Sequence, residues 1–393
     1  MYKNDSKLVG IFSSGKSGST LAIRLLDKYT NCFVYPEEIS FLSVFADNLV
    51  NMRAISNKVW SNKGYIKTPD LNSKLYKSKS FYKYYNYSID RIQNDIIDFN
   101  KLKLDKFNKL FFEKFDGTYE EFINEYLDRV SNWLLNKKYN LNVFKSLETS
   151  YLNSYSKIHN MKFIHLIRNP FDVYASLVRS TRFKSNPSIF HSFYLGEDNM
   201  TNIIRRWKNH TEYLNKNNLD PKLHIVVKYE DLIQNTSKEL DKLINFLNLQ
   251  KNNTMDDKDL SLLKNKKLLF SAHTASTNVG TEVLNKVIKD PKKTFNYQRN
   301  LITDNENLLI NLLCKNGIMK FNYEPLEDHG RLKVFFKWIL PMSWEFKHLD
   351  NGPFIRRPHL MKYRFFLPNY YINFLRSIYY YFYRRIKLIF FGI

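Results

Sequence analysis

Continuous apolar runs bounded by small or polar residues alternate along this chain with segments whose apolar positions recur at helical spacing. Leu8-Val9-Gly10-Ile11-Phe12 is the first such run, and others cover 32–35, 142–145, 162–167 and 224–228. Short runs without polar alternation predict strands buried on both faces. After the first strand, Leu21, Leu25 and Tyr29, flanked by Ala22 and Leu26, mark one face of a helix. After the fourth, Asn169 suits an N-cap and Pro170 the first helical position, with Val173, Ala175 and Leu177 following. Helical spacing also marks Ile89, Ile92, Ile96 and Ile97, and again the stretch 119–135. Strands alternating with helices predict an α/β fold with a central parallel sheet and crossover helices. Ligands of such sheets bind outside the carboxyl ends of the strands.

Composition divides the chain more than any linker does. Glycine and proline number only 11 each among 393 residues, and no repeat or Gly/Ser/Pro-rich spacer interrupts the order of elements. An α/β domain is expected over 1–325, with a helical insertion over 50–140 between the second and third strands. That insertion is either a lid that selects a substrate or a plain helical layer. A basic, aromatic extension is expected over 326–393. From Arg331 onward there are twelve Lys/Arg and two acids, a surplus of +10 within a total of +23. Its aromatics and cations suit an anionic membrane surface, or else they pack on the domain as a solvated coat. No uninterrupted apolar stretch of the roughly 20 residues needed to cross a bilayer is present there.

The junction between the first strand and the first helix carries the chemistry. Ser13-Ser14-Gly15-Lys16-Ser17-Gly18-Ser19-Thr20 places small residues where backbone N–H groups can converge on an anion. The helix N-terminus adds partial positive charge and Lys16 a full one. Gly10 through Ser17 also satisfies G-x-x-x-x-G-K-[ST], the nucleoside-triphosphate loop. Gly10, however, lies inside the apolar run rather than at its end, so the cradle is better written Lys16-Ser17-Gly18-Ser19-Thr20. A second anion pocket is expected from Arg168 at a strand end and Ser176 about two turns into the next helix.

These two segments resemble the signatures of sulfotransferases that use 3′-phosphoadenylyl sulfate (PAPS). The cradle resembles their 5′-phosphosulfate loop, and the run from Phe163 through Arg168 to Ser176 resembles their 3′-phosphate segment. Val143-Phe144-Lys145-Ser146, His224–Leu232 with Tyr229-Glu230-Asp231-Leu232, and the closing segments around Tyr297–Leu301, Cys314 and Met319–Tyr323 follow in the family's order. Tyr297, Gln298 and Asn322 depart from the closing pattern, which carries Trp, a basic residue and Gly there. The resemblance, closest to bacterial and carbohydrate-type members, implies a P-loop-like three-layer sandwich. It implies that Ser14, Gly15, Lys16, Ser17, Gly18, Ser19, Thr20, Arg168, Ser176 and Tyr229 bind PAPS, Tyr229 near the adenine. Lys16 would neutralise the leaving phosphate oxygen, Lys145 would steady the sulfuryl group, and Glu38 or Glu37 would be the base. The expected acceptor is a hydroxyl of a glycan or glycolipid, with no metal involved.

Two other classes compete. A P-loop kinase would place a metal-binding Asp at a buried strand end, where this chain has Arg168 and Lys228-Tyr229. A non-catalytic membrane or polyanion binder would not require Lys16 or the glutamates. The basic balance alone does not imply nucleic-acid binding, since no helix-turn-helix, zinc-finger or RNA-binding signature accompanies it. No metal-ligand spacing is present. His273 either lines the cleft or is a loop residue. Cys32 and Cys314 read as inert buried thiols. With these two cysteines and no apolar region in Met1–Lys7, the expected location is cytoplasmic, possibly peripheral on the inner membrane face.

Overall fold

Five apolar segments form one sheet: β1 (Leu8–Ser13), β2 (Phe33–Glu38), β3 (Asn142–Ser146), β4 (Lys162–Ile167) and β5 (His224–Lys228). The computed structural model describes residues 7–38, 117–135, 139–147, 149–182, 199–251, 301–327, 330–338, 379, 382–383 and 386–391. The strand order is β2-β3-β1-β4-β5 and every pairing is parallel, the α/β architecture expected from the alternation. The chain forms two units. One comprises Met1–Val59, Tyr65–Arg168 and Asn217–Phe295, the other Trp60–Gly64, Asn169–Lys216 and Asn296–Ile393.

In the first unit both faces of β1, β3 and β4 are covered, which is why these strands read as continuous apolar runs, while β5 at the edge leaves Val226 exposed. Val9, Ile11, Val34, Val143, Ile164, Leu166 and Val227 pack with residues of three helices, α1 (Ser19–Tyr29), α6 (Tyr229–Gln234) and α7 (Thr236–Leu247). On the opposite face Phe12 is the hub, with Phe144, Phe163 and Tyr155 around it at centroid distances of 6.1, 5.7 and 4.9 Å. Tyr155 closes α3 (Leu152–Tyr155). Over β2, α2 (Tyr119–Leu135) contributes the stacked pair Phe122 and Tyr126, and the Tyr126 hydroxyl lies 3.4 Å from that of Tyr35. A capping box starts α2: Glu121 N–H donates to Thr118 Oγ1 at 3.3 Å, and Thr118 N–H to Glu121 Oε2 at 2.7 Å.

Gly10 settles the register of the first motif. It is buried within β1, and a Cβ there would collide with the Met161 Cε and the Phe12 ring. Its glycine serves packing against the sheet's second face, not a turn. Of the expected insertion over 50–140, only residues from 117 onward are described. His273, Tyr297 and Gln298 also lie outside the described residues.

The second unit is helical. It contains α4 (Pro170–Arg182), α5 (Asn199–Lys216), α8 (Asp304–Lys320), α9 (Arg331–Trp338) and a π-helix at Lys387–Phe391. Asn169 caps α4 as its type suggested, accepting from Phe171 N–H at 3.0 Å. Glu306 is wholly buried and fully used: it closes a capping box with Thr303 and accepts from the Tyr174 hydroxyl at 2.7 Å. Gly317 permits α8 to approach α5, since a Cβ would come within 2.7 Å of Thr211 Oγ1 and of the Trp207 ring. Asn322, one of the departures from the closing pattern, has φ 53°. Asparagine is the residue type that best replaces glycine in that left-handed region, so the turn survives the change.

Both cysteines are buried free thiols. Desolvation pushes Cys32 up to about 12 and raises Cys314 as well, which keeps them protonated and unreactive. Among the described residues, no helix is long and apolar enough to cross a membrane.

Candidate phosphate-binding site at the carboxyl edge of the sheet

The strand registers bring the expected site residues to one edge. Ser13 closes β1, Ser146 closes β3, Arg168 follows β4, and Tyr229 follows β5. β2 runs on through Pro36 to Glu38, beyond its expected end, and a register shift after Val34 sets Glu38 opposite Lys145.

The loop from Ser14 to Gly18 is tightly constrained. Gly15 and Gly18 have φ 91° and 87°, and Lys16 between them has φ 52°. A lysine held left-handed is strained by roughly 1 kcal/mol or more, so its surroundings must fix it. Ser17 Oγ donates to the Gly15 carbonyl at 2.9 Å and lies 3.3 Å from Ser14 Oγ. Gly15 N–H donates to Ser13 Oγ at 3.4 Å. The serines thus brace the loop from within, buried, while Lys16 is exposed. Gly18 is the N-cap of α1, with no side-chain cap and no acid in the first turn. The helix therefore keeps its N-terminal partial charge for an incoming anion.

Four long-range contacts close the cradle. Arg168 Nη1 donates to the Lys16 carbonyl at 2.9 Å, and its guanidinium lies 4.4 Å from the centroid of the Tyr229 ring. That ring presses on Gly18: a Cβ there would overlap Tyr229 Cδ2 and lie 2.8 Å from Cε2. Gly18 is required twice, by its φ and by this aromatic wall. On the other side, Lys145 Nζ donates to Thr20 Oγ1 at 3.3 Å. Lys145 and Arg168 are only 4% and 8% exposed, so two full positive charges are held in a poorly solvated position beside the loop.

The structure therefore joins Lys16, Gly18, Arg168 and Tyr229 in one connected group, and Thr20 with Lys145 in another on the same helix start. Glu37 and Glu38 close β2 at the same edge. Ser176 belongs to the second unit, on the second turn of α4, half-buried. One buried cation escaped the sequence reading. Arg24, a helical turn after Thr20 on α1, is 6% exposed, its Nε has no hydrogen-bond partner among the described residues, and burial lowers its pKa. Its position four residues beyond Thr20 was the available signal.

A glycine-rich turn between the central parallel strand and a helix, walled by buried cations, lies at the carboxyl edge of the sheet of this α/β protein. The chain belongs to the sulfotransferase family, whose model matches residues 9–253. Solved structures similar to it include two sulfotransferase domains. The sulfotransferase domain from the curacin biosynthetic pathway is 16% identical, with 81% of this chain and 99% of that one covered and a TM-score of 0.47. The sulfotransferase domain from the Synechococcus PCC 7002 olefin synthase is 18% identical, with 83% and 98% covered and a TM-score of 0.48. No curated protein matches the chain.

Proposed function

We propose that this chain moves a sulfuryl group from PAPS to a hydroxyl of a glycan or glycolipid. The observation that carries the reading is the Arg168 side chain, which bonds the Lys16 carbonyl and stacks on the ring that touches Gly18. A nucleotide with anionic groups at both its 5′ and 3′ positions would suit a turn with two glycines, Gly15 and Gly18, beside cations on two sides. Lys16, the braced loop and the start of α1 would hold the 5′ end. Arg168 would hold the 3′-phosphate, with Ser176 assigned from the signature it shares with Arg168, and Tyr229 would flank the base.

PAPS, when bound, supplies a sulfuryl group already activated by its phosphate leaving group. The work left to the chain is positioning and charge stabilisation, as in phosphoryl transfer. Lys16 Nζ neutralises charge gathering on the leaving oxygen. Lys145, fixed by Thr20, presents a second cation from β3. Glu38 takes the proton of the acceptor hydroxyl; its register with Lys145 favours it over Glu37. Residues 50–140 would select the acceptor, and the basic extension from 326 onward would hold the enzyme at the inner face of an anionic membrane.

A thermal-shift comparison tests the reading. Adenosine 3′,5′-bisphosphate is expected to raise the melting temperature markedly, and ATP with magnesium is not. The reverse ranking would identify a kinase, and no response to either would identify a non-catalytic protein.

A further inference from the structure

α9 has two unlike sides. Its inward arc carries buried Val334 and partly buried Phe335. Its outward arc carries Leu332 and Phe336, one turn apart, at 64% and 70% exposure. Beside them, also one turn apart, stand Lys333 and Lys337, both exposed. An apolar pair of this size left in water forgoes the stabilisation that burial would give it.

The face extends beyond α9. Phe390 of the C-terminal π-helix packs on Phe335 at 5.3 Å, and Arg331 Nη1 donates to the Phe390 carbonyl at 3.0 Å. That docking leaves Phe391 67% exposed on the π-helix. Just before it, Tyr379 and Tyr383 stack at 5.9 Å, with Lys387 Nζ 5.2 Å from the Tyr383 centroid. Of the nine large hydrophobic residues exposed among the described residues, six belong to this small region: Leu332, Phe336, Tyr379, Tyr383, Ile386 and Phe391.

We propose that this face, built on α9 and the C-terminal π-helix, docks on the surface of an anionic lipid bilayer. Leu332, Phe336 and Phe391 would enter the boundary between headgroups and acyl chains. The lysines would keep their stems along the apolar layer and their ammonium groups among the lipid phosphates. Charge complementarity selects this occupant: from Arg331 onward twelve cations face two acids. A soluble polyanion would satisfy the cations and leave the apolar pair wet. A protein groove complementary to the apolar pair would have to bury or match the cations on either side. A bilayer interface accepts both at once. Lipid docking deepens the membrane-facing part of the proposed function and does not depend on the chemistry at the sheet edge.

Co-sedimentation of the full chain with vesicles tests it, without donor or acceptor. Vesicles of phosphatidylcholine with phosphatidylserine are expected to capture the protein, and phosphatidylcholine alone to capture little. Leu332→Ser with Phe336→Ser, which leaves every charge in place, is expected to weaken capture about tenfold or more. Lys333→Gln with Lys337→Gln is expected to weaken it about fivefold per lysine. Phe391→Ser, on the π-helix, gives an independent reading should the α9 pair disturb folding. Unchanged melting and unchanged shift by adenosine 3′,5′-bisphosphate identify folded variants. Absence of capture, equal capture by both vesicles, or full capture by folded apolar variants would each overturn the proposal. Absence of the bisphosphate shift in the unaltered protein would instead count against the sulfotransferase chemistry and leave lipid docking standing.

Discussion

Lys145 and Arg168, at the carboxyl edge of the sheet, are 4% and 8% exposed and are each held by a hydrogen bond from a distant strand end to the loop or helix they serve. Lys333 and Lys337, one turn apart on α9, are exposed. Both regions gather positive charge, but only the first gives it a direction. Two unit charges 4 Å apart attract by about 1 kcal/mol in bulk water and about 4 kcal/mol at the effective dielectric near a protein surface. A buried, oriented cation can therefore discriminate between anions by geometry. Exposed cations act together, through long flexible stems, and are screened by salt over about 8–10 Å. The first arrangement can select by geometry, the second only by net charge.

The contrast can be tested most severely at Lys16. Lys16→Met is expected to lower sulfuryl-transfer turnover by about 10²–10³-fold and the affinity for adenosine 3′,5′-bisphosphate by less. Glu38→Gln should cost about 10²–10⁴-fold in turnover with binding intact, and Glu37→Gln far less. A fully active Glu38→Gln enzyme would remove Glu38 from the base role. Arg168→Ala deletes both the bond to Lys16 and the stack on Tyr229. Calorimetric affinity for the bisphosphate is expected to fall by roughly 1.5–3 kcal/mol, with Arg168→Lys recovering only part because its ammonium lacks the planar fork. An effect that vanished in moderate salt would place Arg168 with the surface cations instead.

Gly18→Ala introduces a side chain at φ 87° and against the Tyr229 ring. Urea unfolding should show a loss of roughly 1–3 kcal/mol. Adding Tyr229→Ala should relieve the overlap and leave the backbone strain. In the second unit, burial holds the imidazole of His210 at about 3, below its ordinary 6.5. The unfolded chain takes up this proton below pH 6.5 and the folded chain does so only near pH 3. Stability is therefore expected to fall as pH drops through that window, by about 1.4 kcal/mol per pH unit well below 6.5. A pH series of urea midpoints, flattened by His210→Asn, checks it.

Much of the first unit could be read locally. Strands expected over 162–167 and 224–228 coincide with β4 and β5, and those over 8–12 and 142–145 fall one residue short of β1 and β3. The reason is physical: strands covered on both faces need apolar residues throughout, and that pattern survives without knowledge of partners. Gly10 could likewise be assigned to the strand rather than the turn from its apolar neighbours alone. β2 was harder. Pro36-Glu37-Glu38 looks like a turn by residue type, and only pairing with β3 carries the strand on to Glu38. Arg24 was missed because a lone arginine on a helix ordinarily projects into water.

Element types, their order, the parallel arrangement and the position of the glycine-rich turn followed from the linear order of residues, because each depends on neighbours a few positions away. Which side chains meet at that turn was settled by folding: Lys145 reaches Thr20 across 125 positions and Arg168 reaches Lys16 across 152. Tyr229 against Gly18 and the two-sided face of α9 belong to the same class. Contacts at such separation arise from strand register and helix docking, which leave no local periodicity behind.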